Sequence, residues 1–104
     1  MDLKEQIVDD INSNSIILYM KGTKEMPQCG FSNNVVQILN HYGVEYKDIN
    51  VLTDTNIRIK LSEHSGWPTI PQLFVKGELI GGADITNELH QSGQLLDIFD
   101  KANS

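Results

Sequence analysis

Pro27-Gln28-Cys29-Gly30-Phe31-Ser32 joins an apolar run that reads as a strand, Ile16-Ile17-Leu18-Tyr19-Met20, to an amphipathic run that reads as a helix, Val35 to Tyr42. It carries the only cysteine in a chain of 104 residues. A thiol at a strand-to-helix junction lies near the positive end of the helix dipole, where the thiolate is favoured and its pKa falls. Cys29 therefore has two readings: a reactive sulfur, or a small buried apolar side chain, the more usual role of an isolated cysteine.

The rest of the composition narrows the classes. A chain of this length is read as one domain, residues 1–104, with a single modest core. A hydrophobic fraction of 39% and a charged fraction of 21% exclude disordered and fibrous classes. The net charge is −6, and 8 Lys plus Arg spread along the chain offer no basic face for phosphates, so no nucleic-acid partner is expected. One cysteine can neither close an intramolecular disulfide nor build a Cys-rich zinc site. Met1-Asp2-Leu3-Lys4-Glu5 lacks the apolar core of a signal peptide, and no run reaches membrane-spanning length. A cytoplasmic protein, or the mature form of an organellar one, is the expectation.

Leu3, Ile7 and Ile11 mark one face of a first helix ending at Asn12-Ser13-Asn14. The continuous apolar strand 16–20 reads as buried on both faces. Lys21 to Gln28 is a loop, after which Cys29 opens the second helix. There Val35, Ile38, Leu39 and Tyr42 form an apolar stripe that Gly43 closes. Tyr46 to Asn50 reads as a second strand. Asp54-Thr55 caps a third helix with Ile57 and Leu61 on its inner face, ending by Ser65-Gly66-Trp67-Pro68. Gln72 to Val75 and Glu78 to Ile80 flank Lys76-Gly77 as a hairpin. Gly81-Gly82-Ala83-Asp84 then leads to a helix over 85–91 with Asp84 as its cap, and a last helix carries Leu95, Leu96 and Phe99. A strand–helix–strand unit makes a parallel pair, and the hairpin adds antiparallel strands. The expected fold class is α/β: a four-stranded mixed sheet with helices on both faces, and Cys29 at its carboxyl edge.

Four features in this order, Lys21-Gly22-Thr23 ahead of Cys29-Gly30-Phe31-Ser32, Trp67-Pro68-Thr69-Ile70-Pro71-Gln72, Gly81-Gly82-Ala83-Asp84, and the strand and helix succession around them, resemble the monothiol glutaredoxins of the thioredoxin-like superfamily. The resemblance spans essentially the whole chain. Dithiol members of the fold keep a second cysteine three residues after the first, to resolve a mixed disulfide. Ser32 stands there instead and excludes that route; its hydroxyl caps the helix or donates to the sulfur.

The resemblance implies a glutathione cradle. Lys21 would lie beside Cys29 and pair with a carboxylate, and Arg58 would lie near the glycine carboxylate of glutathione. Thr69, Ile70 and a cis Pro71 would face the cysteine with backbone free to pair with an extended peptide. Gly82, Ala83 and Asp84 would hold the γ-glutamyl end. Trp67 is left between covering the core and standing near a cluster or partner. The chain departs from the family where a lysine is common and Ser62 stands, with Lys60 as a partial substitute, and where Ala83 replaces a second cysteine. His41, His64 and His90 show no metal-ligand spacing and read as surface or helix-end residues. A [2Fe–2S] cluster needs four sulfurs. The arrangement implied is Cys29 from each of two chains plus two glutathione thiols, a cluster-bridged homodimer acting as an iron–sulfur carrier, with BolA-type proteins and scaffold or client proteins as partners. The alternative is a glutathione-dependent monothiol oxidoreductase acting on glutathione mixed disulfides, at most a weak enzyme given the long loop 21–28.

Overall fold

Every side chain of strand Ile16–Met20 is buried, because both faces of the sheet it centres are covered. The structure is a computed structural model, and it describes residues 1–102. The chain runs α1 (Leu3–Ser13), β1 (Ile16–Met20), α2 (Gly30–Tyr42), β2 (Lys47–Asn50), a 3-10 turn (Val51–Thr53), α3 (Thr55–Ser65), β3 (Gln72–Val75), β4 (Glu78–Gly81), α4 (Ala83–Ser92) and α5 (Gln94–Ala102). The sheet order is β2-β1-β3-β4. β1 and β2 are parallel, with Met20 opposite Asn50, while β3 runs antiparallel to both β1 and β4. This is the mixed sheet the strand pattern implies.

Side chains alternate across a strand, so β1 feeds two cores. Ile16, Leu18 and Met20 pack with Leu73, Val75, the α2 stripe and Leu95 and Phe99 of α5. Ile17 and Tyr19 pack on the other face with Phe74, Ile7 and Ile11 of α1, and Leu61 of α3. Each such side chain contributes about 1.5–3 kcal/mol by leaving water.

Local signals account for most boundaries. Gly43 and Gly66 end α2 and α3 in the left-handed region, where glycine carries no Cβ penalty. Asp54 caps α3, its side chain accepting from Asn56 N–H at 2.9 Å. Lys76 and Gly77 both have positive φ, +52° and +83°, the geometry of a two-residue hairpin turn whose twist matches the strands.

Two expectations are corrected. β2 starts at Lys47, leaving Tyr46 outside the ladder. α4 starts at Ala83 with Gly82 as its cap, so Asp84 belongs to the first turn and is not the capping residue. Leu96 is about half exposed, at 49%, since it lies off the Leu95–Phe99 stripe that faces the sheet.

Candidate functional site

The loop 21–28 leaves β1 and returns to deliver Cys29 to the start of α2. It closes on itself through Gln28 N–H donating to Lys21 O at 2.9 Å and through paired backbone bonds between Thr23 and Met26. It is then tied to the β2 edge. Gly22 N–H donates to Asn50 Oδ1 and Lys24 N–H to Asp48 Oδ2, both at 2.9 Å, and Lys24 Nζ donates to Tyr46 O at 3.1 Å. Gly22 sits at φ +89° with the backbone of Met26 and Gln28 against it. The loop is thus a built support for the thiol.

Cys29 occupies the N-cap of α2 with extended backbone, φ −148° and ψ 137°. An oxygen in that position would accept from the second or third amide of the helix. The sulfur closes no full cap hydrogen bond, yet its pKa is held below the ordinary thiol value, first by the Ser32 N–H. Partial burial works against this; the Phe31 N–H, the Lys21 charge and the Ser32 hydroxyl add to it. Ser32 is fully buried, and its Oγ accepts from Lys21 N–H at 3.1 Å. That leaves the hydroxyl hydrogen for the sulfur. Ser32 does not cap the helix, since Cys29 holds that position; its hydroxyl is instead among the groups that favour the thiolate. Cys29 is only partly buried, which removes the reading of it as an inert core residue.

The electrostatics have a measurable sign. The thiolate is the alkylating form, so a lowered pKa shifts the pH–rate profile for iodoacetamide to lower pH than that of an ordinary cysteine. Lys21→Ala removes a cation that favours the charged form. Its profile is expected to move to higher pH, with slower alkylation at neutrality; a profile that stays in place or moves down contradicts the Lys21 contribution.

Cys29 opens into a groove of about 420 Å³. Lys21 and Cys29, Arg58 of α3, the segment Trp67–Pro71, and Gly82, Ala83 and Asp84 line it. Every site residue singled out from the sequence is therefore brought to one surface, from four separate parts of the chain. The Ile70–Pro71 bond is cis, as the family resemblance implies. Asp84 lies in the first turn of α4, whose leading amides open on the same side of the fold as an anion-favouring end.

Phe31, Pro68 and Ile85 also line the groove and were not singled out. The available signal for Phe31 was its place off the α2 stripe: an aromatic ring beside the thiol, 62% exposed. Trp67 lines the groove, half buried. Lys60 does not line it; its ammonium lies 3.5 Å from Glu63, a carboxylate that Lys4 also approaches. His64 is exposed in the last turn of α3. His41 and His90, distant in sequence, meet at the ends of α2 and α4 with ring centroids 5.2 Å apart, and His90 Nδ1 hydrogen bonds with the Tyr42 hydroxyl. Among the described residues no group of three or more His, Cys, Asp or Glu is placed to hold a metal ion, and no helix is long and apolar enough to cross a membrane.

A thiolate stabilised at a helix start and sharing an open groove with a cis-proline segment defines the class as thiol-dependent proteins of the thioredoxin-like fold. The glutaredoxin family model matches residues 16–80. A probable monothiol glutaredoxin 2 of Rickettsia typhi is 58% identical over 89 residues, 86% of this chain and 80% of that protein. An uncharacterized monothiol glutaredoxin of Synechocystis is 50% identical over 97% of this chain and 94% of its own. Among solved structures, reduced poplar apo GrxS14 superposes with a TM-score of 0.85 at 45% identity, covering 96% of this chain and 92% of that one. The chain belongs to the glutaredoxin family, as a monothiol glutaredoxin.

Proposed function

We propose that this glutaredoxin binds glutathione in the Cys29 groove and that two copies, each with one glutathione, carry a [2Fe–2S] cluster between scaffold and client proteins. The observation that carries the reading is the groove's donor set. It holds one reactive thiol, two cations in Lys21 and Arg58, the 69–71 segment with its cis Pro71, and a helix start at Ala83–Asp84. Glutathione has the complementary parts: two carboxylates, an ammonium, an extended backbone and a thiol. Lys21 and Arg58 suit the carboxylates, and Asp84 with the α4 amides suits the zwitterionic γ-glutamyl end.

The sulfur count supports the cluster as cargo. Four thiolates are required, and this chain supplies Cys29 alone. A ligand set completed by two glutathione thiols and a second Cys29 fits that donor chemistry. The exposed Phe31 ring beside the thiol and the exposed Met26 of the loop 21–28 are apolar surface that a partner would cover, whether a second copy, a BolA-type protein or a client. A free thiol of this kind is suited to a reducing compartment such as the cytoplasm or an organellar matrix.

A second reading has its own observation, the lowered thiol pKa. Thiolate Cys29 attacks a glutathione mixed disulfide and takes its glutathionyl group, releasing the client thiolate. A second glutathione thiolate then attacks the Cys29–glutathione disulfide, yielding glutathione disulfide and free Cys29. Ser32 takes no part as a nucleophile. Anaerobic reconstitution with iron, sulfide and glutathione separates the two. Colour and a sedimenting dimer appearing together, and only with glutathione, are expected of the carrier. A colourless monomer with brisk mixed-disulfide reduction would overturn it in favour of the enzyme.

A further inference from the structure

We propose that Gln72, which lies outside the groove, is the positioning residue that fastens its Trp67–Pro71 wall; the inference rests on the glutathione reading of that groove. Gln72 is the first residue of β3 and has no exposed surface. Burying a side-chain amide is costly unless its hydrogen bonds are remade. Its Nε2 remakes two, donating to Trp67 O at 2.9 Å and to Thr69 O at 3.1 Å. Its Oε1 is buried with no protein partner. The amide thus serves through its donors.

Those donors act on a segment with little other support. Residues 66–71 belong to no helix or strand, and Trp67 N–H is held by the Ser65 hydroxyl at 3.1 Å. A planar amide group using both hydrogens sets two carbonyls of one loop relative to the sheet. Thr69, Ile70 and Pro71 follow from that placement, and all three line the groove. The effect reaches the adjoining Gly82–Asp84 turn as well. A Cβ on Gly82 would stand 3.3 Å from Trp67 Nε1 and 3.3 Å from Pro71 O, so the indole and the proline carbonyl pack directly against the glycine that starts α4. Gln72 holds Trp67, and Trp67 abuts Gly82. The packing of Trp67 on Gly82 is thus tied to one buried amide.

None of the groups that set the thiol, Ser32, Phe31 and Lys21, is a hydrogen-bond partner of the Gln72 amide, and this separates positioning from general damage. Gln72→Met keeps the volume and removes the donors. Gln72→Glu keeps the shape and, when ionised, turns an acceptor toward the two carbonyls. Amide exchange at Trp67, Thr69 and Ile70, measured without glutathione, is expected to quicken about tenfold in Gln72→Met, the scale of one net hydrogen bond. Glutathione affinity, measured by calorimetry, is expected to fall by about the same factor and further in Gln72→Glu, with the thiol pH–alkylation profile of Gln72→Met unmoved. Should Gln72→Met fail to fold, Gln72→Glu carries the exchange and affinity measurements. Exchange or affinity within about twofold of the parent overturns the proposal, as does a loss accompanied by a shifted thiol profile. If the parent itself fails to bind glutathione, the reading of the groove falls, while the exchange measurement still decides whether Gln72 fastens the loop.

Discussion

Cys29→Ser is expected to abolish cluster assembly and glutathionylation entirely while leaving the fold intact. The loss is total because no other cysteine exists in the chain and serine's oxygen is neither a soft metal ligand nor a disulfide partner. The fold survives because Cys29 is a partly exposed N-cap residue, and serine is among the preferred N-caps. Its oxygen can accept from the amides that now face the sulfur, so stability is expected to hold or rise by up to about 1 kcal/mol. Reconstitution followed by visible absorption, with thermal denaturation of the same sample, reads both. A coloured dimer from the serine variant would place the cluster elsewhere; a collapsed melting temperature would mean that the sulfur has a structural role.

Gly22→Ala is the substitution expected to cost the most stability. At φ +89° an L side chain costs about 1–2 kcal/mol. A Cβ would also stand 2.5 Å from Met26 O and 2.6 Å from Gln28 N. These are backbone atoms held by the Thr23–Met26 and Lys21–Gln28 hydrogen bonds, so relief requires breaking the loop's own pairing. Together the expected loss is about 3–5 kcal/mol, in the range of backbone strain added to a broken hydrogen-bond network. Urea denaturation gives the value, and a loss below about 1 kcal/mol would show that the loop reshapes freely. Because the loop delivers Cys29 and Lys21, the surviving folded fraction should also show its alkylation profile moved to higher pH.

The pattern of what was legible follows the range of each interaction. The strand 16–20, the α2 stripe, the Gly43 and Gly66 ends, the Asp54 cap and the Lys76-Gly77 turn all rest on contacts within a few residues, and each was readable. The α4 start was misplaced because Gly82 and Asp84 are both acceptable caps; which one serves depends on where the chain leaves β4. Leu96 follows Leu95 in an apolar pair, and only the docking of α5 on the sheet decides which of the two is buried. His41 and His90 show no spacing relation, since their meeting depends on α2 and α4 lying side by side. Gln72 read as a strand residue. Its place in the proposal comes from two hydrogen bonds to a loop whose course bends back toward β3.

The sequence by itself determined the elements, the mixed sheet, the family and the absence of an internal resolving thiol, because periodicity, caps and the Cys29–Ser32 spacing are local properties of the chain. Only the tertiary structure decided that Lys21, Cys29, Arg58, the 69–71 segment and the 82–84 turn share one groove. It also decided that Ser32 is buried with its hydroxyl on Lys21 N–H rather than capping a helix, and that a buried glutamine hydrogen bonds the Trp67–Pro71 segment. Those outcomes depend on sheet order and on how the crossovers bring distant segments to one edge. Burial and directed hydrogen bonds then act on residues that no local pattern places together.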